Sequence, residues 1–125
     1  MRYKIIYCSL AWLMLLGVSD CDKSGSKKAL RKIEFDHSVL DKDGMLNSEV
    51  AVDYEFCIPK DESKVAEVKA IEPDVNMPAM AKGRIGCSKD EYLCIVSTKD
   101  DSWKEKLYAI ASLPYVRRII QTYYE

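Results

Sequence analysis

The sequence holds a single histidine, His37, among 125 residues, and none of its cysteines fall in C-x-x-C spacing. These two shortages remove whole classes of chemistry. A structural zinc site needs four ligands, usually paired two to four residues apart. Cys8, Cys21, Cys57, Cys87 and Cys94 offer neither that pairing nor a fourth ligand close in sequence. Redox and metal-transfer loops built on C-x-x-C are absent for the same reason. One histidine on an alternating stretch forms no Ser/His/Asp or Cys/His arrangement that spacing alone can defend. The expectation is no catalytic residue, no metal and no cofactor. An excess of positive charge is missing too, with 19 Lys+Arg against 20 Asp+Glu. Phosphate neutralisation needs clustered cations, so no nucleic-acid partner is expected. What the chain does have, 48% hydrophobic and 31% charged residues, suits a folded domain and not a disordered chain.

No uncharged apolar run reaches the roughly 20 residues of a bilayer span. Residues 5–18 carry no charge, follow Arg2 and Lys4, and precede a polar stretch of Lys, Ser, Gly and Asp. Basic start, apolar run and polar follow-on come in the order of an export signal. Gly17 and Ser19 suit ordinary cleavage after Ser19. The run Leu16, Gly17, Val18, Ser19, Asp20, Cys21 also resembles the end of a bacterial lipoprotein signal, from which it departs at Asp20, where that family has a small residue. The resemblance implies lipidation of Cys21 and, with Asp22 next, retention at the inner membrane facing the periplasm. Two acyl chains make such attachment stable where one does not. The organisation then reads as a signal peptide over 1–20, a polar tether over 21–30 and a single domain over 31–125. The protein is expected in the cell envelope, anchored through a lipid or soluble in the periplasm; a secreted form and an uncleaved anchor are the other outcomes the leader allows.

Within that domain, residues 50–58 put Val50, Val52, Tyr54, Phe56 and Ile58 on one parity and Ala51, Asp53, Glu55 and Cys57 on the other. A period of two carried by β-branched and aromatic residues marks a half-buried strand, and Pro59 ends it. Residues 61–71 read as a helix burying Val65, Val68 and Ile71, stopped by Pro73. Residues 84–87 and 92–97 read as a hairpin. A second helix spans 100–113, with a Ser102/Glu105 capping box and Trp103, Leu107, Ile110 and Ala111 on one stripe. Residues 116–124 read as a last strand, and 29–40, with Ile33, Phe35, His37 and Val39 alternating, as an extra strand at the front. The fold class is α+β. Strand, helix, strand, strand, helix, strand is the ferredoxin-like split βαβ (βαββαβ) order, with two helices on one face of an antiparallel sheet.

That topology gathers Cys57, Cys87 and Cys94 at one end of the sheet. An oxidising compartment favours a disulfide, with Cys87–Cys94 across the hairpin preferred and Cys57–Cys94 next. Asp41, Asp43 and Gly44 resemble the middle of a calcium loop, but the first ligand position falls on Val39 and the last on Val50, so a plain turn is expected. Gly83 and Gly86 flank Arg84 before the hairpin, and shaping the strand fits them better than binding an anion. Asp53 and Glu55 are expected to pair across strands with Arg118 and the hydroxyls of Thr122 and Tyr124. Tyr115, Tyr123 and Tyr124 suit an interface, and a last strand at a sheet edge invites strand addition by a protein partner. The leading expectation is a non-catalytic envelope protein that binds a partner or ligand. The alternatives are an inhibitor or immunity-type protein that blocks a secreted hydrolase, and a thiol-dependent enzyme using the unpaired cysteine.

Overall fold

A computed structural model describes residues 27–123; the leader, Cys8, the lipidation candidate Cys21 and the interface candidate Tyr124 lie outside the described residues. The described chain forms strands β1 (Met45–Leu46), β2 (Val50–Ala51), β3 (Asp53–Pro59), β4 (Glu91–Ser97) and β5 (Ile120–Thr122). Helices α1 (Glu62–Ile71) and α2 (Trp103–Ala111), a 3-10 turn at His37–Val39 and a helical stretch over residues 27–30 complete it. β3 lies between β4 and β5 and is antiparallel to both, while β1 and β2 make a separate hairpin. The class is α+β with antiparallel sheets, and the alternating stretch supplies the central strand.

The pairing register decides which side chains are dry. Tyr54 faces Val96 and Phe56 faces Cys94 across β3 and β4, and with Ile58 all are buried in one cluster. Both helices contribute to that cluster: α1 through Val68, α2 through Trp103, Leu107, Ile110 and Ala111. The α2 stripe is the one its spacing requires. Asp61 caps α1 by accepting the Ser63 N–H at 2.9 Å, satisfying one of the donors a helix start leaves open. The expected capping box on α2 does not form. Ser102 makes no side-chain cap bond, and the Asp100 carboxylate takes the Ser102 N–H at 2.8 Å instead.

Four stretches depart from the sequence reading, each for a local reason. The strand expected over 50–58 breaks at Val52, because Val50–Ala51 turns away to pair with β1. Leu46 pairs with Val50 across a three-residue loop in which Asn47 and Ser48 take positive φ values (54° and 61°), the left-handed region that tight hairpin turns use, and Val50 is exposed. Residues 29–40 form no strand. Asp36 accepts the Ser38 N–H at 3.1 Å and turns the chain, leaving two isolated bridges, Ile33 to Ile119 in parallel and Leu40 to Leu46 antiparallel. Residues 27–30 are helical and Ala29 is buried, so packed structure reaches into the segment read as tether. Residues 84–87 also form no strand, and the expected second core strand is missing. Gly83 and Gly86 have φ of 66° and 77°, and the outer edge of β4 bonds Asn76 instead, through Asn76 N–H to Ile95 O at 2.9 Å and its reciprocal at 2.8 Å. The last strand is limited to Ile120–Thr122.

One contact ties the β1–β2 hairpin to the sheet. The Thr98 hydroxyl donates to Gly44 O at 2.6 Å and accepts the Val52 N–H at 3.1 Å. Gly44 has φ +76°, and a Cβ there would lie 1.6 Å from Thr98 O. Substitution Gly44→Ala is expected to cost on the order of 3 kcal/mol through left-handed strain and backbone displacement; a lowered urea midpoint with unchanged m-value is the signature to look for.

Candidate functional site

Asp53, Glu55 and Cys57 lie on the face of β3 away from the helices, and that face is covered by the loop over residues 82–87. Glu55 is 1% exposed. Its Oε1 accepts the Ile85 N–H at 2.8 Å and its Oε2 accepts the Thr122 hydroxyl at 3.1 Å. A buried carboxylate is tolerated only with such donors. Gly83 makes the approach sterically open, since a Cβ there would sit 2.7 Å from Leu93 Cδ1 and 3.0 Å from Glu55 Oε1. The expected cross-strand partner Arg118 points elsewhere, forming a two-pronged pair with Glu34 at 2.9 and 3.0 Å.

A disulfide joins Cys57 to Cys87, with Cα atoms 5.6 Å apart. This corrects the pairing favoured from sequence, Cys87–Cys94, and its runner-up, Cys57–Cys94. The register explains both errors. Cys94 faces Phe56 on the helix-packed side, whereas Cys57 faces Leu93 on the other, so the two thiols lie on opposite sides of the sheet. Cys87 reaches Cys57 because its segment crosses the far face as a loop. Among the described cysteines Cys94 is the free, buried one, and burial pushes its pKa up to about 12.

The tyrosines do not form one patch. Tyr115 is half-buried against α1, donating to Glu67 Oε1 at 2.5 Å beneath Lys64, whose Nζ is 5.2 Å from the ring centroid. Tyr123, 61% exposed, follows the end of β5 and donates to Gln121 Oε1 at 3.1 Å. Arg84 Nε donates to Tyr123 O at 3.0 Å. Tyr123 lines an open groove of ≈ 430 Å³ with Phe35, Val39 and Ile120 as apolar lining and Asp36 and Arg84 among the polar residues. The outer edge of β5 starts paired: Ile119 N–H donates to Lys32 O and Glu34 N–H to Ile119 O, both at 2.8 Å. Peptide groups alternate sides along a strand, which puts the Gln121 N–H and C=O on the same outer edge. There they meet no backbone partner among the described residues.

The remaining candidates have structural roles. His37 Nε2 is 3.1 Å from the Tyr108 hydroxyl, and its ring stands edge-on to Phe35, Trp103 and Tyr108. Asp41 Oδ1 accepts the N–H groups of Asp43 and Met45 at 2.9 and 3.0 Å, and Oδ2 the Ser48 hydroxyl at 3.3 Å. That carboxylate is the organiser of a turn, as expected, and these hydrogen bonds hold its pKa below the usual range. The Tyr54 hydroxyl is buried without a hydrogen-bond partner among the described residues, and burial together with the Glu72 and Asp100 charges pushes its pKa up. Sequence reasoning anticipated the cross-strand contact of Glu55 with the Thr122 hydroxyl but missed its second donor, the Ile85 N–H. That donor comes from a stretch read as a strand, which hid its crossing of this face.

Two measurements check this arrangement. The disulfide spans a sequence separation of 30, for which the chain-entropy relation gives about 3–4 kcal/mol; the Cys57→Ala/Cys87→Ala variant should lose about that much in urea unfolding. In the native protein, Cys94 should resist iodoacetamide near neutral pH and react once unfolded, with peptide mapping separating it from Cys8 and Cys21. Rapid native labelling of Cys94 would revive the thiol-enzyme reading. No family model matches this sequence, and neither curated proteins nor solved structures give a match.

Proposed function

We propose that this protein is an exported, disulfide-bonded domain held in the cell envelope, anchored through a lipid on Cys21 at the inner membrane and facing the periplasm. It works by binding a polypeptide partner along the outer edge of β5 and performs no catalysis. The observation that carries the reading is the β5 edge itself. The strand leaves the Gln121 peptide group open past Ile119 and sets it beside a groove lined by Phe35, Val39, Ile120 and Tyr123. An incoming strand takes main-chain hydrogen bonds from the edge and side-chain pockets from the groove, the division of labour in β-strand addition. The Cys57–Cys87 disulfide supports export, because such bonds persist in oxidising compartments. The order β4–β3–β5, with both helices contributing to one core, supports a reduced ferredoxin-like reading in which the 84–87 strand is replaced by a loop.

The exposed Tyr123 just past β5 also supports a second reading, an inhibitor whose segment after β5 enters a secreted hydrolase. Deleting residues 123–125 would then abolish inhibition while leaving the fold intact.

The test has two arms. Intact mass of membrane and soluble fractions from a bacterial host should show a membrane species beginning at Cys21 with added acyl mass. A soluble species beginning at Asp20 would leave a free periplasmic domain, a membrane species beginning at Met1 would mean an uncleaved anchor in place of the lipid, and a soluble chain beginning at Met1 would refute export. For binding, a photo-crosslinker at position 123 should trap a polypeptide in intact envelopes, and Gln121→Pro, which removes the outward N–H, should lower that yield by tenfold or more. Equal trapping from position 105 on α2 would refute an edge-directed interface.

A further inference from the structure

The loop that seals the outer edge of β4 carries a second surface, independent of the β5 edge. After Asn76 bonds Ile95, the chain runs through Met77, Pro78 and Ala79 to Met80, whose φ is +60° and whose side chain is 100% exposed. Met80 borders an open cleft of ≈ 330 Å³ with Pro78, Ala81 and Tyr92, the last of these 40% exposed. Lys60, Lys82 and Lys89 line the same cleft, and Lys60 Nζ lies 5.5 Å from the Tyr92 ring centroid. The one acidic group in the lining, Glu91, is engaged by Arg117 at 3.4 Å. A wholly exposed methionine and a half-exposed tyrosine beside three cations is an arrangement that water does not reward, since apolar surface is left wet.

We infer that this face docks on an anionic lipid bilayer, with Met80 entering the headgroup–acyl boundary, Tyr92 at headgroup level and Lys60, Lys82 and Lys89 on the lipid phosphates. Charge complementarity selects this occupant: basic residues beside apolar ones draw a protein to an anionic leaflet, each lysine contributing about fivefold to partitioning. Tyrosine is at home at the membrane interface, where its ring and its hydroxyl meet different surroundings. The contact does not need the lipid on Cys21, so it stands or falls separately from the anchor. With the anchor in place it would fix which side of the domain faces the membrane.

The experiment is hydrogen exchange on the full chain with vesicles of phosphatidylcholine alone or with 30% phosphatidylglycerol, read on peptides covering residues 78–82 and 88–92. Reading these segments locally separates their contact from any insertion of the apolar leader. Exchange there should slow several-fold on phosphatidylglycerol vesicles and stay unchanged on phosphatidylcholine. The protection should vanish in 0.5 M NaCl, in Met80→Asp and in the Lys60→Glu/Lys82→Glu/Lys89→Glu variant. Equal protection on both vesicle types, or none on either, overturns the inference. Equal protection by soluble glycerol phosphate also overturns it, by showing a small-anion site in place of a bilayer surface.

Discussion

A carboxylate buried in the middle of the central strand dictates how one whole face of this sheet is built. Glu55 needs donors, and the sheet supplies only the Thr122 hydroxyl of β5, since the β3 backbone is taken up by its ladders. The Ile85 N–H and the Thr122 hydroxyl fill the need, and to deliver the former the chain must cross the face as a loop. Gly83 follows from that route, because only a residue without Cβ passes so close to Leu93 and Glu55. The disulfide follows as well: Cys57, two residues along on the same face, meets Cys87 just beyond the Glu55 contact. Bond and clamp act on the same loop from neighbouring positions, so removing one leaves the other holding it.

The opposite face is governed by area in place of hydrogen bonds. Tyr54, Phe56 and Ile58 present a continuous dry surface, and α2 covers it with Trp103, Leu107 and Ile110. Burying side chains of this size contributes roughly 1.5–3 kcal/mol each. The front segment joins this core through Phe35, whose ring stacks on Tyr54 at 6.1 Å. Trp103 reaches back the other way, donating its indole N–H to Asp41 O at 2.9 Å. These long-range contacts anchor residues 33–46, which have almost no regular structure of their own.

Burial periodicity was legible in the sequence, and partner identity was not. The alternation of Tyr54, Phe56 and Ile58 and the stripe through Trp103, Leu107, Ile110 and Ala111 record which side is dry, so the central strand and both helices could be placed. Asn47, Ser48, Gly83 and Gly86 depend on backbone conformations that leave no hydrophobic pattern, so the β1–β2 hairpin went unread and residues 84–87 were misread as extended. One such misreading propagated. Treating residues 84–87 as a strand set Cys87 opposite Cys94, whereas a loop over the far face sends it to Cys57. The β5 edge could be anticipated because it needs only chain order. The grouping of Val39 and Phe35 beside Tyr123 could not, since it arises from a 3-10 turn far away in sequence.

The two edges of the three-stranded sheet are finished differently, and under the proposed reading this difference suits the two surfaces to different work. At β4 the edge is bonded by Asn76, and the chain that follows runs on into the exposed Met80 turn. At β5 the covering segment bonds Ile119 on both sides and then diverges at Asp36, leaving the next outward peptide group open. Exposed edges are commonly blunted by a charge, a proline or a covering loop. Here the covering stops short just where Tyr123, Val39 and Ile120 supply apolar contact, so the opening coincides with side chains able to receive a strand. The edge bonded by Asn76 cannot act in that way at Ile95, which leaves its neighbouring loop to contribute through side chains alone. Main-chain recognition at one edge and side-chain contact at the other can therefore operate together without competing for the same groups.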